Sequence, residues 1–176
     1  MPDLRELTRQ FPEAGRLDAI FLRPQRDVVA DSVTSAMAIQ GRGLEGDRSA
    51  ALLPRRSGSH KRQVTLFQAE HAPMIAAWLK RDHLDPLLLR RNLVISGFNL
   101  LAARSLFADQ PLRLRVGAEA VLIVTGPCDP CSKMEQALGT GAYNALRGHG
   151  GLTAIVQSGG RIAVGDPVRA EVADQP

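Results

Sequence analysis

Aromatic residues are scarce: one Trp, one Tyr and five Phe make up 4% of the 176 residues. A core must therefore be built mainly of Leu, Val, Ile and Ala. Cysteine is scarcer still, with only Cys128 and Cys131. Two cysteines cannot form a disulfide framework, and that agrees with a reducing compartment. No apolar run approaches the roughly 20 residues that span a bilayer. The opening, MPDLRELTRQFPEAGR, is charged and has no apolar signal region. The expected location is the cytoplasm, with no membrane partner. A Walker-type loop and a G-x-G-x-x-G after a strand are also missing, which argues against nucleotide hydrolysis and a Rossmann cofactor.

What remains has ordinary globular proportions, 44% hydrophobic and 23% charged. The length suits one domain with a sizeable buried core. Residues 1–16 read as a short helix or arm, 17–170 as the domain, and 171–176 as a tail. No internal repeat is visible.

Short strand-like segments recur every 8–12 residues between glycine turns. They include Leu17 to Leu22, Asp27 to Ile39 (one or two strands), Gln63 to Phe67, Asn92 to Ile95, Leu112 to Val116 and Ala120 to Thr125. Gly151 to Gln157, Arg161 to Val164 and Val168 to Val172 complete the set. Leu122 to Val124 reads as a strand buried on both faces. Gly41 to Asp47 and Gly159-Gly160 read as turns. Ala69 to Lys80 fits a helix with Ile75, Ala76 and Leu79 on one face and Pro73 in its first turn. The pattern predicts a sandwich or barrel, without the βαβα alternation of a doubly wound fold.

The net charge is +4, mostly from arginine, and the densest basic stretch is Pro54 to Arg62 (PRRSGSHKR). Its plain reading is a solvated loop; its functional reading is a positive mouth that attracts an anion. No nucleic-acid partner is expected, because no recognition helix, RNP-like motif or stacking platform accompanies these charges.

The strongest local signal is Thr125-Gly126-Pro127-Cys128-Asp129-Pro130-Cys131-Ser132-Lys133-Met134-Glu135. Asp129 as N-cap with Pro130 following, or Ser132 with Glu135 as a capping box, would start a helix here. Gly139 would stop it. Either register puts Cys131 at the helix N-terminus, where backbone N–H groups favour a thiolate nucleophile. Lys133 adds positive charge. The bland alternative is a small buried cysteine without a role.

As a pair, Cys128 and Cys131 form C-x-x-C. A thioredoxin-like couple needs a βαβ setting, and a zinc site needs a second ligand pair; neither is apparent. His60, His71, His83 and His149 are scattered and read as surface or structural residues. Arg90-Arg91-Asn92 precedes a strand. It is either a solvated strand start or a guanidinium and carboxamide pair, Arg90 with Asn92, gripping an anion.

Together, GLEGDR (43–48), RQVTLFQAE (62–70), RRNLVISG (90–97), VGAEAVLIVTGPCDPCSKM (116–134) and GGLTAIVQSGGRIAVGDPV (150–168) resemble the MOSC domain. That is the C-terminal domain of molybdenum cofactor sulfurases, also found as small bacterial proteins. The resemblance implies a mainly β, MOSC-type β-barrel with a few short helices, and a role with sulfur or molybdenum.

By the resemblance, Cys131 matches the family cysteine in P-C-x-K/R-M/L, with Lys133 at its basic position. This cysteine carries persulfide sulfur in sulfurases and ligates molybdenum in amidoxime-reducing relatives. Arg90 and Asn92 match the family's R-x-N motif. The implied cofactor is the molybdenum cofactor, a molybdopterin. Pyridoxal phosphate is not expected on this chain, so a cysteine desulfurase would be a separate partner, as would any electron-donor protein. The expected function is cofactor binding with reduction of N-hydroxylated compounds or sulfur transfer. The alternative is a sulfur carrier or binding module without turnover.

Overall fold

Leu112-Arg113-Leu114-Arg115-Val116 alternates buried and half-buried positions, the signature of a strand with one face in the core. Repeated along the chain, that pattern closes into a barrel. The computed structural model describes residues 1–51 and 61–173. Its first four strands are β1 (Gly15–Leu22), β2 (Asp31–Val33), β3 (Ser35–Ile39) and β4 (Gly43–Leu44). Next come β5 (Val64–Gln68), β6 (Leu93–Ser96), β7 (Leu112–Val116) and β8 (Ala120–Pro127), followed by β9 (Leu152–Ser158), β10 (Gly160–Ala163) and β11 (Pro167–Val172). The helices are short: α1 (Leu4–Leu7), α2 (Arg48–Ala51), α3 (His71–Trp78), α4 (Ser132–Leu138) and α5 (Ala142–Leu146). Two 3-10 turns, Pro86–Leu89 and Leu100–Ala103, supplement them.

Seven strands run in the order β11-β7-β8-β9-β5-β6-β1, and pairing of β1 with β11 closes the ring. The closing seam is short, Gly15 opposite Val168 and Arg16 opposite Pro167. Gly15 is required there, since a Cβ would run into the Phe98 ring and the Ser96 carbonyl oxygen. The ring is mixed, because β5 and β6 are parallel while the other pairs are antiparallel. β2 extends the sheet from β1, and β10, β3 and β4 form a separate small sheet.

Two apolar clusters hold the layers. One fills the barrel and includes Leu17, Ile20, Leu66, Ile95, Leu114 and Leu122. The other lies outside the barrel, where Phe67, Ile75, Leu89, Met134, Leu138 and Leu146 join α3, α4 and α5 to it. Each such fully buried side chain contributes about 1.5–3 kcal/mol relative to exposure.

Several expectations need correction. The strand buried along its whole length is β5, sandwiched between the two clusters. In β8, Ile123 and Val124 are half-buried rather than enclosed on both faces. The glycine turn at 41–47 contains β4, and Gly160 belongs to β10. The helix at 69–80 is confined to His71–Trp78, with Glu70 at its N-cap and Leu79 beyond it. Among the described residues a single parallel crossover is present, β5 to β6 through α3, but neither cysteine lies in it.

The N-terminal arm is tied down. Arg5 forms an ion pair with Asp109 at 3.0 Å and stacks over Phe107, and the Gln110 amide donates to the Arg5 carbonyl. Among the described residues, no helix is long and apolar enough to cross a membrane.

Candidate functional site

The C-terminal end of β1 and the starts of β5 and β6 lie on one rim, because β1 is antiparallel to β6 while β5 is parallel to it. Arg23 leaves β1 there, Thr65 lies early in β5, and Arg90 to Asn92 approach β6. The starts of α2 and α4 complete the wall of an open cavity of about 420 Å³. Arg90, Asn92, Cys131 and Lys133 all line it.

The lining is strongly cationic. Arg23, Arg26, Arg48 and Arg62 join Arg90, Arg91 and Lys133, while Asp47 is the one carboxylate among the described residues of the wall. Asp47 is 5% exposed, and its acceptor sites are occupied by neutral donors. Its Oδ1 receives the Ser49 amide (2.9 Å) and hydroxyl (2.6 Å). Its Oδ2 receives the Arg23 amide (2.9 Å) and the Asn92 carboxamide (3.0 Å). Thus Asp47 organises the rim by binding backbone and amide groups.

Burial, and next the neighbouring Arg90 guanidinium, hold Arg23 below its ordinary pKa, with Arg48 and Arg62 adding to the effect and Asp47 opposing it. The Arg23 Nε is buried and has no hydrogen-bond partner among the described residues. A buried donor without an acceptor is costly, so this end of the cavity favours an incoming anion.

The Asn92 carboxamide lines the cavity but is engaged within the protein. Its Oδ1 accepts from the Thr65 amide (3.0 Å) and hydroxyl (2.9 Å). Its Nδ2 donates to the Phe21 carbonyl (3.1 Å) and to Asp47. Both ends of the carboxamide are therefore occupied, and Asn92 joins β1, β5 and α2 behind the cavity. It also precedes β6 rather than starting it.

Arg90 and Arg91 divide their roles through backbone geometry. Arg90 has φ 60°, left-handed for a residue other than glycine, at the end of the Pro86–Leu89 turn. Arg91 is 4% exposed. It donates to the carbonyl oxygens of Gly150 (2.6 Å), Leu89 (2.9 Å) and Cys128 (3.1 Å). Burial pushes its guanidinium below the ordinary value. One side chain thus ties the Cys128 segment to the rim.

Cys131 is exposed and is itself the N-cap of α4. Neither expected cap forms. Glu135 instead accepts from the amides of Gly141 and Tyr143, joining α4 to α5. Lys133 pairs with Asp27 beside the cavity. Cys128 is buried, and Arg62 donates to its Sγ at 3.1 Å. Both cysteines are free, one buried and one exposed, so no disulfide joins the C-x-x-C.

Of the basic stretch at Pro54 to Arg62, residues 54–60, including His60, lie outside the described residues; Arg62 reaches the cavity. His71 and His149 meet edge to face at 4.9 Å, outside the cavity lining. Among the described residues, no group of three or more His, Cys, Asp or Glu could hold a metal ion. Sequence reasoning missed Arg23, Arg48 and the internal role of Arg91. A usable signal was present: Arg23 immediately follows a strand, and Arg48 follows the acidic turn residue Asp47.

The MOSC domain profile matches residues 54–169. Among solved structures, the YUAD protein from Bacillus subtilis is 18% identical with a TM-score of 0.73, over 94% of this chain and 100% of that one. YiiM from Geobacillus stearothermophilus is 15% identical with a TM-score of 0.64, over 91% and 75% of the respective chains. YiiM from Escherichia coli is 18% identical with a TM-score of 0.60, over 92% and 71%. At these identities the likeness concerns the fold. No curated protein matches the chain.

Proposed function

The chain belongs to the MOSC domain family, and on that premise we propose that it binds a molybdenum cofactor in the arginine-lined cavity, with Cys131 as its reactive sulfur. The observation that carries this reading is the exposed Cys131 thiol in a wall whose described residues include seven cationic side chains and one internally satisfied carboxylate. The donor set fits the group. Guanidinium forks suit a pterin phosphate, and a thiolate is a soft ligand of the kind molybdenum accepts. Arg23 and Arg90 hold the phosphate, and Cys131 provides the sulfur ligand. When bound, the cofactor supplies two-electron chemistry that no side chain here can perform. The activity that follows is reduction of an N-hydroxylated compound to the corresponding amine and water, using two electrons and two protons, with electrons from a separate donor protein.

A second reading, sulfur carriage without turnover, is favoured by the exposure of Cys131. A persulfide there is accessible both to a separate cysteine desulfurase and to an acceptor.

The test is molybdenum and pterin analysis of protein purified from a host that makes the cofactor. Near-stoichiometric pterin and metal are expected in the wild type, with the metal lost in Cys131→Ser and both reduced in Arg90→Ala. Wild-type protein free of pterin would overturn cofactor binding. Bound cofactor with turnover by an external reductant selects the reductase, whereas persulfide at Cys131 without turnover selects the carrier.

A further inference from the structure

We propose that Asp27 is an internal counter-anion that competes with the cavity's ligand for Lys133 and Arg26, and thereby sets how much negative charge a ligand needs to bind. The inference rests on reading the cavity as an anion site. Asp27 lies in the loop that connects β1 to β2, whose base is fixed by the pairing of Leu22 with Asp31. Lys133 donates to Asp27 Oδ1, and Arg26 Nε lies 3.7 Å from Oδ2. Both cations line the cavity. The loop and α4 are therefore connected beside the site by an ion pair that uses the charges an incoming anion needs.

Two further features agree. Asp27 has φ 64°, an uncommon conformation for a residue other than glycine, although aspartate tolerates it better than most. The hydrogen bond from Lys133 holds the Asp27 carboxyl below its ordinary pKa, so the competing charge persists at neutral pH. A weakly charged anion faces this carboxylate at the mouth. A phosphate carrying close to two charges, or linked phosphates carrying more, gains enough from the remaining guanidinium groups to displace it.

Calorimetric binding of inorganic phosphate and pyrophosphate at fixed ionic strength provides the test, using wild type, Asp27→Asn, Lys133→Met and the double variant. Asparagine is chosen because it also tolerates the left-handed backbone. Asp27→Asn should tighten phosphate binding by about two- to fivefold, the range expected of one exposed ion pair. The gain should at least halve when Lys133 is already methionine. Unchanged or weaker binding, or an equal gain in both backgrounds, overturns the counter-anion role. Absence of binding by every variant overturns the anion cavity itself, and the proposed function with it.

Discussion

Arg91 Nε donates to the Gly150 carbonyl oxygen at 2.6 Å, joining residues 59 positions apart. The same guanidinium also bonds to the carbonyls of Leu89 and Cys128. Gly150 leaves room for this close approach, since a Cβ there would lie 3.3 Å from Arg91 Nη2 and would collide with the Cys128 carbonyl oxygen. The wall behind Cys131 is therefore fixed by a buried cation and a missing side chain.

Arg91→Met should lower unfolding free energy by about 2–4 kcal/mol, because it leaves buried carbonyls without their charge-assisted donors. Arg91→Lys should recover little, since a single ammonium cannot reproduce the planar fork. Urea unfolding measures both. A loss below about 0.5 kcal/mol in Arg91→Met would contradict the clamp.

The two thiols should separate by accessibility. Cys128→Ser, which keeps the exposed Cys131, should be alkylated rapidly in the native state. Cys131→Ser should react mainly on unfolding, because Cys128 is buried under the Arg62 contact. Alkylation time courses across pH, with and without denaturant, decide this. Faster native labelling of the variant that keeps Cys128 would reverse the assignment.

Arg90→Ala and Asn92→Ala should have opposite signatures. Among the described residues Arg90 makes no hydrogen bond through its side chain, and it lines the cavity, so its loss should weaken anion or cofactor binding by roughly one to two orders of magnitude with little change in melting temperature. Asn92 has four side-chain hydrogen bonds, so its loss should cost about 2–4 kcal/mol of stability. Arg90→Lys should restore binding only in part. Arg16→Ala, at the distant end of β1, is the control. Equal cofactor retention in Arg90→Ala and the control would remove Arg90 from the site.

Burial, and next the neighbouring His149, hold the His71 imidazole below its ordinary pKa. The unfolded chain then binds the proton more readily, so folding stability falls as pH drops through about 6.5 toward the lower folded value. The wild-type melting temperature should decline between about pH 7 and pH 5.5. His71→Gln should decline less over that interval. Parallel curves would show that this histidine does not contribute to the acid sensitivity.

The barrel strands were legible because each carries its own evidence: alternation in Leu112 to Val116 and glycine turns at Gly117 and Gly165. Barrel closure was expected from the strand spacing and the family resemblance, but the position of its seam was not readable, because the pairing of Gly15 with Val168 has no local pattern. At the site, Cys131 was readable from its place before a helical segment. Its actual cap was not, because Glu135 finds the Gly141 and Tyr143 amides, a partner set available only after α5 packs. Arg90, Arg91 and Asn92 look alike as a polar run, yet the left-handed turn at Arg90 sends their side chains to three different tasks. The convergence of Arg23 and Arg48 is likewise tertiary: the Arg48 amide donates to the Arg23 carbonyl, and the Arg23 amide to Asp47.

The barrel seam spans only two residue pairs, whereas β11 and β7 are matched over five. Backbone bonds from Leu17 to Asp166 and from Gly165 to Leu17 extend the joint slightly, yet as the shortest ladder of the ring it is where local opening, and with it amide exchange, is expected to start. That joint lies at the first residues of β1, while the arginine cavity lies beyond its last. Eight residues of extended chain, about 25 Å, separate them. The domain can therefore breathe at one end of the strand while the charge cluster at the other end keeps its shape.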